Sequence, residues 1–212
     1  KNVHWLPNGP DLNTFKVFNY SKNKEKFNIV YPGAFGLANG LENVIKAAAI
    51  IENNHKPNIQ LTLIGDGTEK EKLVKLSKNL KNIHFKAPIS KELMPNIFKS
   101  ADVILISLAD IPLFRYGVSP NKLYDAYASA KPVIATIPGQ INDEINNNRI
   151  GLGIEANNPE ALANAILSLE NKSEEELIKM GLKARKLAEK SYDRDKTIQK
   201  LGSMLSNLIN TF

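Results

Sequence analysis

Five residues of one short stretch could do chemistry together: Ser119, Pro120, Asn121, Lys122 and Asp125. Serine before proline reads as a helix start, with Ser119 as the N-cap and Pro120 as the first helical residue. Asn121 and Lys122 then fall in the first turn, where a cation opposes the helix dipole at about 0.3–1 kcal/mol. Asp125 lies three residues on, along the same face, so an ion pair with Lys122 is one resolution. Its order is the unfavoured one, because the base precedes the acid. An anion resting on the helix start is the other resolution. Free amides near Ser119 and Asn121 would donate to it, and Lys122 would add its charge. Asp125 would then accept hydrogen bonds from a neighbouring diol. A phosphate beside a diol describes a nucleotide with its ribose.

Two further loops could hold a phosphate. The stretch YPGAFGLANGLEN places Gly33, Gly36 and Gly40 between a strand and a helix, where glycine lets a backbone come close to a ligand. Their spacing is neither the dinucleotide fingerprint nor a P-loop, and turn formation explains them equally well. The stretch LIGDGTEKEKL sets Asp66 between Gly65 and Gly67, with Thr68 available as a helix cap. A tight turn plus a cap accounts for it. His4, His55 and His84 are scattered, and none has an acid at ligand spacing. His84, between Ile83 and Phe85, reads as a wall residue of a strand. No Ser-His-Asp set or metal cluster is apparent. Tyr116 could stack on a ring or simply be exposed, and Trp5 reads as packing.

Alternating strands and helices must position these loops. Residues 27–33, 59–67, 82–88, 102–108 and 131–137 are short apolar, β-branched runs that read as strands, with 151–156 a weaker sixth. Between them, residues 41–52 repeat Leu41, Val44, Ile45, Ala48 and Ile51 at helical spacing. Residues 68–79 align Leu73 and Leu76 with Leu80. Residues 90–101 form a shorter helix containing Pro95, and residues 120–130 align Leu123, Ala126, Tyr127 and Ala130. Asn158 before Pro159 opens a helix over 158–169, and Ser173 with Glu176 forms a capping box for 173–190. Residues 196–212 make a last amphipathic helix with Ile198, Leu201, Leu205, Leu208 and Phe212 on one stripe. The pattern predicts an α/β fold: a Rossmann-like, doubly wound parallel sheet of about six strands. Such sheets bind ligands at the carboxyl ends of their strands, where the strand order reverses.

Composition narrows the class. The 212 residues suit one domain of ordinary size, and 42% hydrophobic residues suffice for a core. No apolar run reaches membrane-span length, the amino terminus lacks a signal-like apolar region, and there is no cysteine. These features lead to the expectation of a cytoplasmic domain. The formal net charge is +6, but only four of the 28 basic residues are arginines (Arg115, Arg149, Arg185 and Arg194). Base readers favour arginine, so scattered lysine argues against a nucleic-acid partner. Attraction to anionic substrates or lipid headgroups stays open.

The ordered set of motifs resembles the C-terminal half of GT-B glycosyltransferases of the retaining "group 1" family. The chain carries PNGPDLNTF (7–15), GDGTEKEKL, NIHFKAPISKELMPNIF (82–98), ADVILISL, LYDAYASAKPVIAT and GLGIEANNPEALANAI, in the family's order. The family's Arg and Lys in the first glycine loop are replaced by Ala34 and Asn39, and its paired glutamates fall at Gly117 and Asp125. The motifs GAFGLANGLE and PLFRYGVSPNKLYDAYASAKPV are instead similar to a subgroup with bacterial fucosamine and fucose transferases of O-antigen, capsule or colanic-type polysaccharides.

The resemblance implies a donor-binding domain that uses a nucleoside-diphosphate sugar and no cofactor or metal. Lys122 would act on the departing diphosphate. Gly33, Gly36, Gly65, Ser119, Pro120 and Asn121 would line its site. Asp125 would hold the ribose, Lys86 and Ala87 the base, and Arg115 would assist. It further implies an interdomain linker over 1–27, the nucleotide-sugar-binding domain over 28–195, and a helix over 196–212 that packs toward an N-terminal acceptor-binding domain. The acceptor would be a polysaccharide or lipid-linked sugar, reached at the inner face of a membrane, and the isolated domain would bind donor without transferring sugar. Two other readings remain beside it: a non-catalytic nucleotide-sugar-binding module, and a GT-B nucleotide-sugar epimerase.

Overall fold

The computed structural model describes residues 3–23 and 25–209, the side chains of 208 and 209 aside. Six strands form one parallel sheet: β1 (Phe27–Pro32), β2 (Ile59–Ile64), β3 (Ile83–Lys86), β4 (Val103–Ser107), β5 (Val133–Thr136) and β6 (Gly151–Gly153). Their order is β3-β2-β1-β4-β5-β6. The chain winds outward from β1 in one direction and from β4 in the other, so the reversal falls between β1 and β4. The register pairs Ile29 with Leu61 and Tyr31 with Leu63 on one side of β1, and Val30 with Ile104 on the other.

The pleat sorts these side chains into two cores. On one face Ile29, Tyr31, Leu61 and Leu63 pack against α1 (Leu41–Asn53), α2 (Lys70–Leu76) and α6 (Pro159–Glu170). On the other, Val30, Ile104, Ile106 and Val133 pack against α3 (Met94–Ser100), α4 (Asn121–Ala128), α5 (Gln140–Asn148) and α7 (Glu174–Ser191). Truncating a fully buried anchor such as Ile29 or Ile104 to alanine costs about 2–5 kcal/mol. Leu41, Val44, Ile45, Ala48 and Ile51 are all buried, as their spacing requires. Asn158 caps α6 by accepting from Ala161 N–H, and the Ser173–Glu176 capping box on α7 is complete.

Several elements differ from the sequence reading. The strands stop one to three residues short of the expected ends, because the chain turns into loops at Gly33, Gly65 and Ala87. Helix α2 is shorter than 68–79: Leu73 is buried, but Leu76 is 51% exposed and Leu80 lies beyond the helix. The segment 90–101 divides into a 3-10 turn at Lys91–Leu93 and α3. Helix α5 was not expected. It is rich in asparagine and buries only Ile145. His84 is exposed, with its ring against the Gln60 amide oxygen at 2.5 Å.

Residues 3–23 run without helix or strand and are pinned at intervals. Phe15 is fully buried beside Phe98, and its carbonyl accepts from Arg185 at 2.8 Å. Asp11 pairs with Arg194 at 2.9 Å, at the start of α8 (Arg194–Ile209). Along α8, Ile198, Leu201 and Leu205 are exposed. The side chain of Leu208, and Phe212 entirely, lie outside the described residues.

Candidate functional site

The loops leaving β1, β2 and β4 are strapped together at the reversal point. Gly33 N–H donates to Ile64 O, Phe35 N–H to Asp66 O and Ala109 N–H to Ala38 O, at 2.8, 2.8 and 2.9 Å. The Ser107 hydroxyl adds a bond to Asn39 O at 2.7 Å. Gly65 is buried, its N–H donates to Lys86 O, and a side chain there would overlap the Gly33 carbonyl. Close packing of two loops therefore accounts for Gly65. Asp66 is spent on a turn: its carboxylate accepts from Gly67 N–H and from Lys70, which holds its pKa below the usual value.

Lys122 reaches from the first turn of α4 to the end of β1. Its ammonium lies 5.9 Å from the centre of the Tyr31 ring. A methyl group added at Gly33 would stand 2.5 Å from that ammonium and 2.6 Å from the Tyr31 hydroxyl. The Tyr31 hydroxyl donates to Ala34 O at 2.8 Å, which fixes the turn beside the cation. Tyr31, Gly33 and Lys122 thus form one unit. No hydrogen bond or ion pair engages Lys122 among the described residues, and its burial lowers its pKa.

The ion pair between Lys122 and Asp125 does not form. Asp125 is 7% exposed, and burial pushes its pKa up to about 6, against the partial relief of Lys91 and Arg194. Another lysine shows what a structural burial looks like. Lys131, 2% exposed, donates to Lys99 O and Ala101 O at 3.2 and 2.7 Å and is attracted by Asp102. Both lysines are taken partly out of water, but only Lys131 has protein acceptors.

The helix start itself differs from expectation. Ser119 is not the N-cap: its hydroxyl lies 3.3 Å from that of Tyr124, within the same part of the chain. Pro120 occupies the cap position in an extended conformation, and α4 begins at Asn121. No side chain caps α4 and no acid stands in its first turn, so its first N–H groups have no side-chain partner. Thr68 likewise does not cap α2, whose cap position is Glu69.

The remaining candidates spread around this point. Lys86 and Ala87 are exposed at the end of edge strand β3, about 10 Å from β1 at the usual strand spacing. Gly36 opens the 3-10 turn Leu37–Asn39. Arg115 is held by Asp110 through a bidentate pair, Nη2 lying 2.9 and 2.8 Å from the two carboxylate oxygens. It reaches an anion only by exchanging that partner. Gly117, where the resemblance expects an acid, is exposed and has open space around it. Tyr116 is 89% exposed.

Sequence reasoning missed Tyr31 and Asp110. Tyr31 looks like any core residue of an apolar strand. Asp110 is signalled only by lying five residues before an arginine. Of the cavities, one of 520 Å³ lies at the opposite, amino end of the strands, beside Asn28, Gln60 and Asp102. One of 570 Å³ lies between Arg115 and Glu155, and one of 220 Å³ lies beside Gly36, Gly40 and Ala109. Ala34, Ser119 and Asn121, close in the chain to Gly33 and Lys122, are exposed. Among the described residues no group of His, Asp and Glu could hold a metal ion, and no helix is long and apolar enough to cross a membrane.

Residues 13–187 match the family described as Glycosyl transferases group 1. The chain is 24% identical over 192 residues to an uncharacterized glycosyltransferase of Methanocaldococcus jannaschii, a match that covers 89% of this chain and 47% of that protein. It superposes on sucrose-phosphate synthase from Thermosynechococcus elongatus with a TM-score of 0.77 and 19% identity, over 98% of this chain and 53% of the other. For the Anabaena protein HepE, in complex with UDP-glucose, the TM-score is 0.74 at 16% identity, over 94% and 56%. For the C-terminal domain of the Francisella tularensis group 1 protein LpcC it is 0.69 at 22% identity, over 87% and 99%. The chain thus spans about half the length of the curated relative it matches.

Proposed function

Starting from the fact that this chain belongs to the glycosyl transferases group 1 family, we propose that it is the donor-binding half of a retaining glycosyltransferase that uses a nucleoside-diphosphate sugar. The observation that carries this reading is Lys122: a partly buried cation over the Tyr31 ring, without a hydrogen-bond or ion-pair partner among the described residues, at an uncapped helix start, beside the point where the strand order reverses. The pyrophosphate would take hydrogen bonds from the first-turn amides of α4 and charge from Lys122. As the bond from the anomeric carbon to the diphosphate breaks, these groups stabilise the charge that develops on the leaving oxygen. The acceptor hydroxyl attacks from the face the diphosphate leaves and passes its proton to the departing phosphate oxygen, which balances the step and gives retention. Asp125 would hold the ribose, and Lys86 and Ala87 would meet the base. Arg115 would join once Asp110 releases it. The donor is a substrate, and the reading requires no cofactor.

UDP-glucose in the HepE neighbour is consistent with this donor class. The motifs around 33–42 and 112–133 favour the fucosamine/fucose subgroup and a polysaccharide or lipid-linked acceptor, as in lipopolysaccharide or capsule assembly. On this reading residues 1–27 are the linker to an acceptor-binding domain. The exposed Ile198, Leu201 and Leu205 of α8 are the face turned toward it. The isolated domain would bind donor without transferring sugar. A thermal-shift screen against UDP- and GDP-sugars tests the site. A ligand at a hundred times its Kd adds about 2.7 kcal/mol, a rise in Tm of roughly 5–10 °C for a chain of this size. Failure of every nucleotide sugar to shift the transition would sink the proposal.

A further inference from the structure

Helix α7 has two faces that do not resemble each other. Leu177, Gly181, Ala184 and Ala188 are its buried row, with Gly181 set against the carbonyl of Ala130. Half a turn away stand Lys179, Lys183, Lys186 and Lys190, within an arc of roughly 60° and over a length of about 16 Å. None of the four makes a hydrogen bond or an ion pair among the described residues. The acids of α7 lie toward its ends: Glu174, Glu175 and Glu176 in the first turn, with Glu175 one turn before Lys179 on the same stripe, and Glu189 held by Arg185 at 2.6 Å.

A second observation adjoins this row. A cavity of 430 Å³ opens beside α7, lined by Arg149, Lys179 and Lys183, by Leu152 and Met180, and by Glu176, whose carboxylate is already paired with Lys172 at 3.0 Å. Leu182, on the flank of the lysine row, is 50% exposed. Cations free of protein partners beside apolar side chains complement an amphiphilic anion. Lysine rather than arginine predominates, which suits diffuse attraction to a charged surface better than readout of nucleic-acid bases.

We propose that the outer face of α7, with the cavity at Arg149, docks on an anionic phospholipid bilayer. The lysine row would lie along the headgroups and the cavity would receive a headgroup phosphate. This inference is independent of the donor site, whose residues lie on other elements.

Vesicle flotation of the 212-residue chain tests it, with phosphatidylcholine alone and with phosphatidylglycerol added. Binding is expected only with phosphatidylglycerol and is expected to fall as salt rises. Changing Lys179, Lys183, Lys186 and Lys190 together to Glu should weaken it at least tenfold. The corresponding four Gln changes serve if the Glu variant fails to fold. Arg149→Gln should weaken binding to a smaller extent. A control quartet with the same charge change, at exposed Lys16, Lys75, Lys78 and Lys81, should keep most of it. Equal loss in the control, equal binding to neutral vesicles, no binding at all, or equally tight and equally quartet-dependent binding of a DNA duplex would each overturn the proposal. The donor-induced thermal shift should be the same in the lysine variants as in the parent.

Discussion

The amino ends of helices α7 and α4 obey opposite rules. At α7 the Ser173 hydroxyl accepts from Glu176 N–H, the Glu176 carboxylate accepts from Ser173 N–H, and three glutamates meet the positive end of the dipole. Every local demand is met by the chain itself. At α4 no side chain caps the helix, no acid is present, and Lys122 brings charge of the wrong sign into the first turn. The first end is built for stability. The second is left unfinished by the protein, which is what a site completed by an anion requires.

The comparison can be broken at its strongest point first. Lys122→Met should weaken donor binding about a hundredfold, the scale of one charge-assisted contact to a phosphate. The same change should raise the Tm of the free protein, because it removes a cation whose desolvation lowers its pKa. A variant that bound nucleotide sugars like the parent in calorimetry would detach Lys122 from the site.

Asp125→Asn comes next in size. The carboxyl is raised from 3.8 to about 6 in the folded chain. Its neutral form is therefore favoured on folding. Stability from this group is complete below pH 4 and is lost as pH rises through 6. The asparagine variant should gain on the order of 2–3 kcal/mol at pH 8 and nothing at pH 3.5, by urea melts at both values. A gain independent of pH would show that Asp125 is not the group responsible.

The caps then sharpen the contrast. Ser173→Ala should cost about 1 kcal/mol in chemical denaturation and leave donor binding untouched. Ser119→Ala should change stability by less than about 0.5 kcal/mol, because its hydroxyl caps nothing. If Ser119→Ala proved as costly as Ser173→Ala, the two helix starts would not differ as described.

The fold was legible where side-chain periodicity was strong. Ile29, Leu61, Ile104 and Val133 sit in runs that only a buried strand explains, and Val44 with Ala48 and Ile51 marks α1. Helix α5 was not legible because its sole buried residue, Ile145, sits among asparagines. The limits of α2 were misread because Leu76 matches helical spacing while half-exposed, and Leu80 packs against the core from the turn beyond the helix. At the site, the oddity of Lys122 was visible as a charge in the wrong place. That Ser119 would turn to Tyr124 was not, since a hydroxyl has several equivalent partners within reach. Tyr31 and Asp110 escaped because their contacts depend on how loops fold back, which spacing along the chain does not encode.

The space above Gly33 also limits how this family member can vary. The place of its missing carbon is taken by the tip of Lys122 and by the hydroxyl end of Tyr31 together. Neither position can drift alone: a methyl at 33 would press on the ammonium and on the Tyr31 hydroxyl together, and a shortened residue at 122 leaves a gap over the tyrosine. Exchange at 33 should be tolerated only as a matched set, such as alanine at 33 with smaller residues at both 31 and 122, and the exchanged protein should fold but lose the donor binding proposed for it.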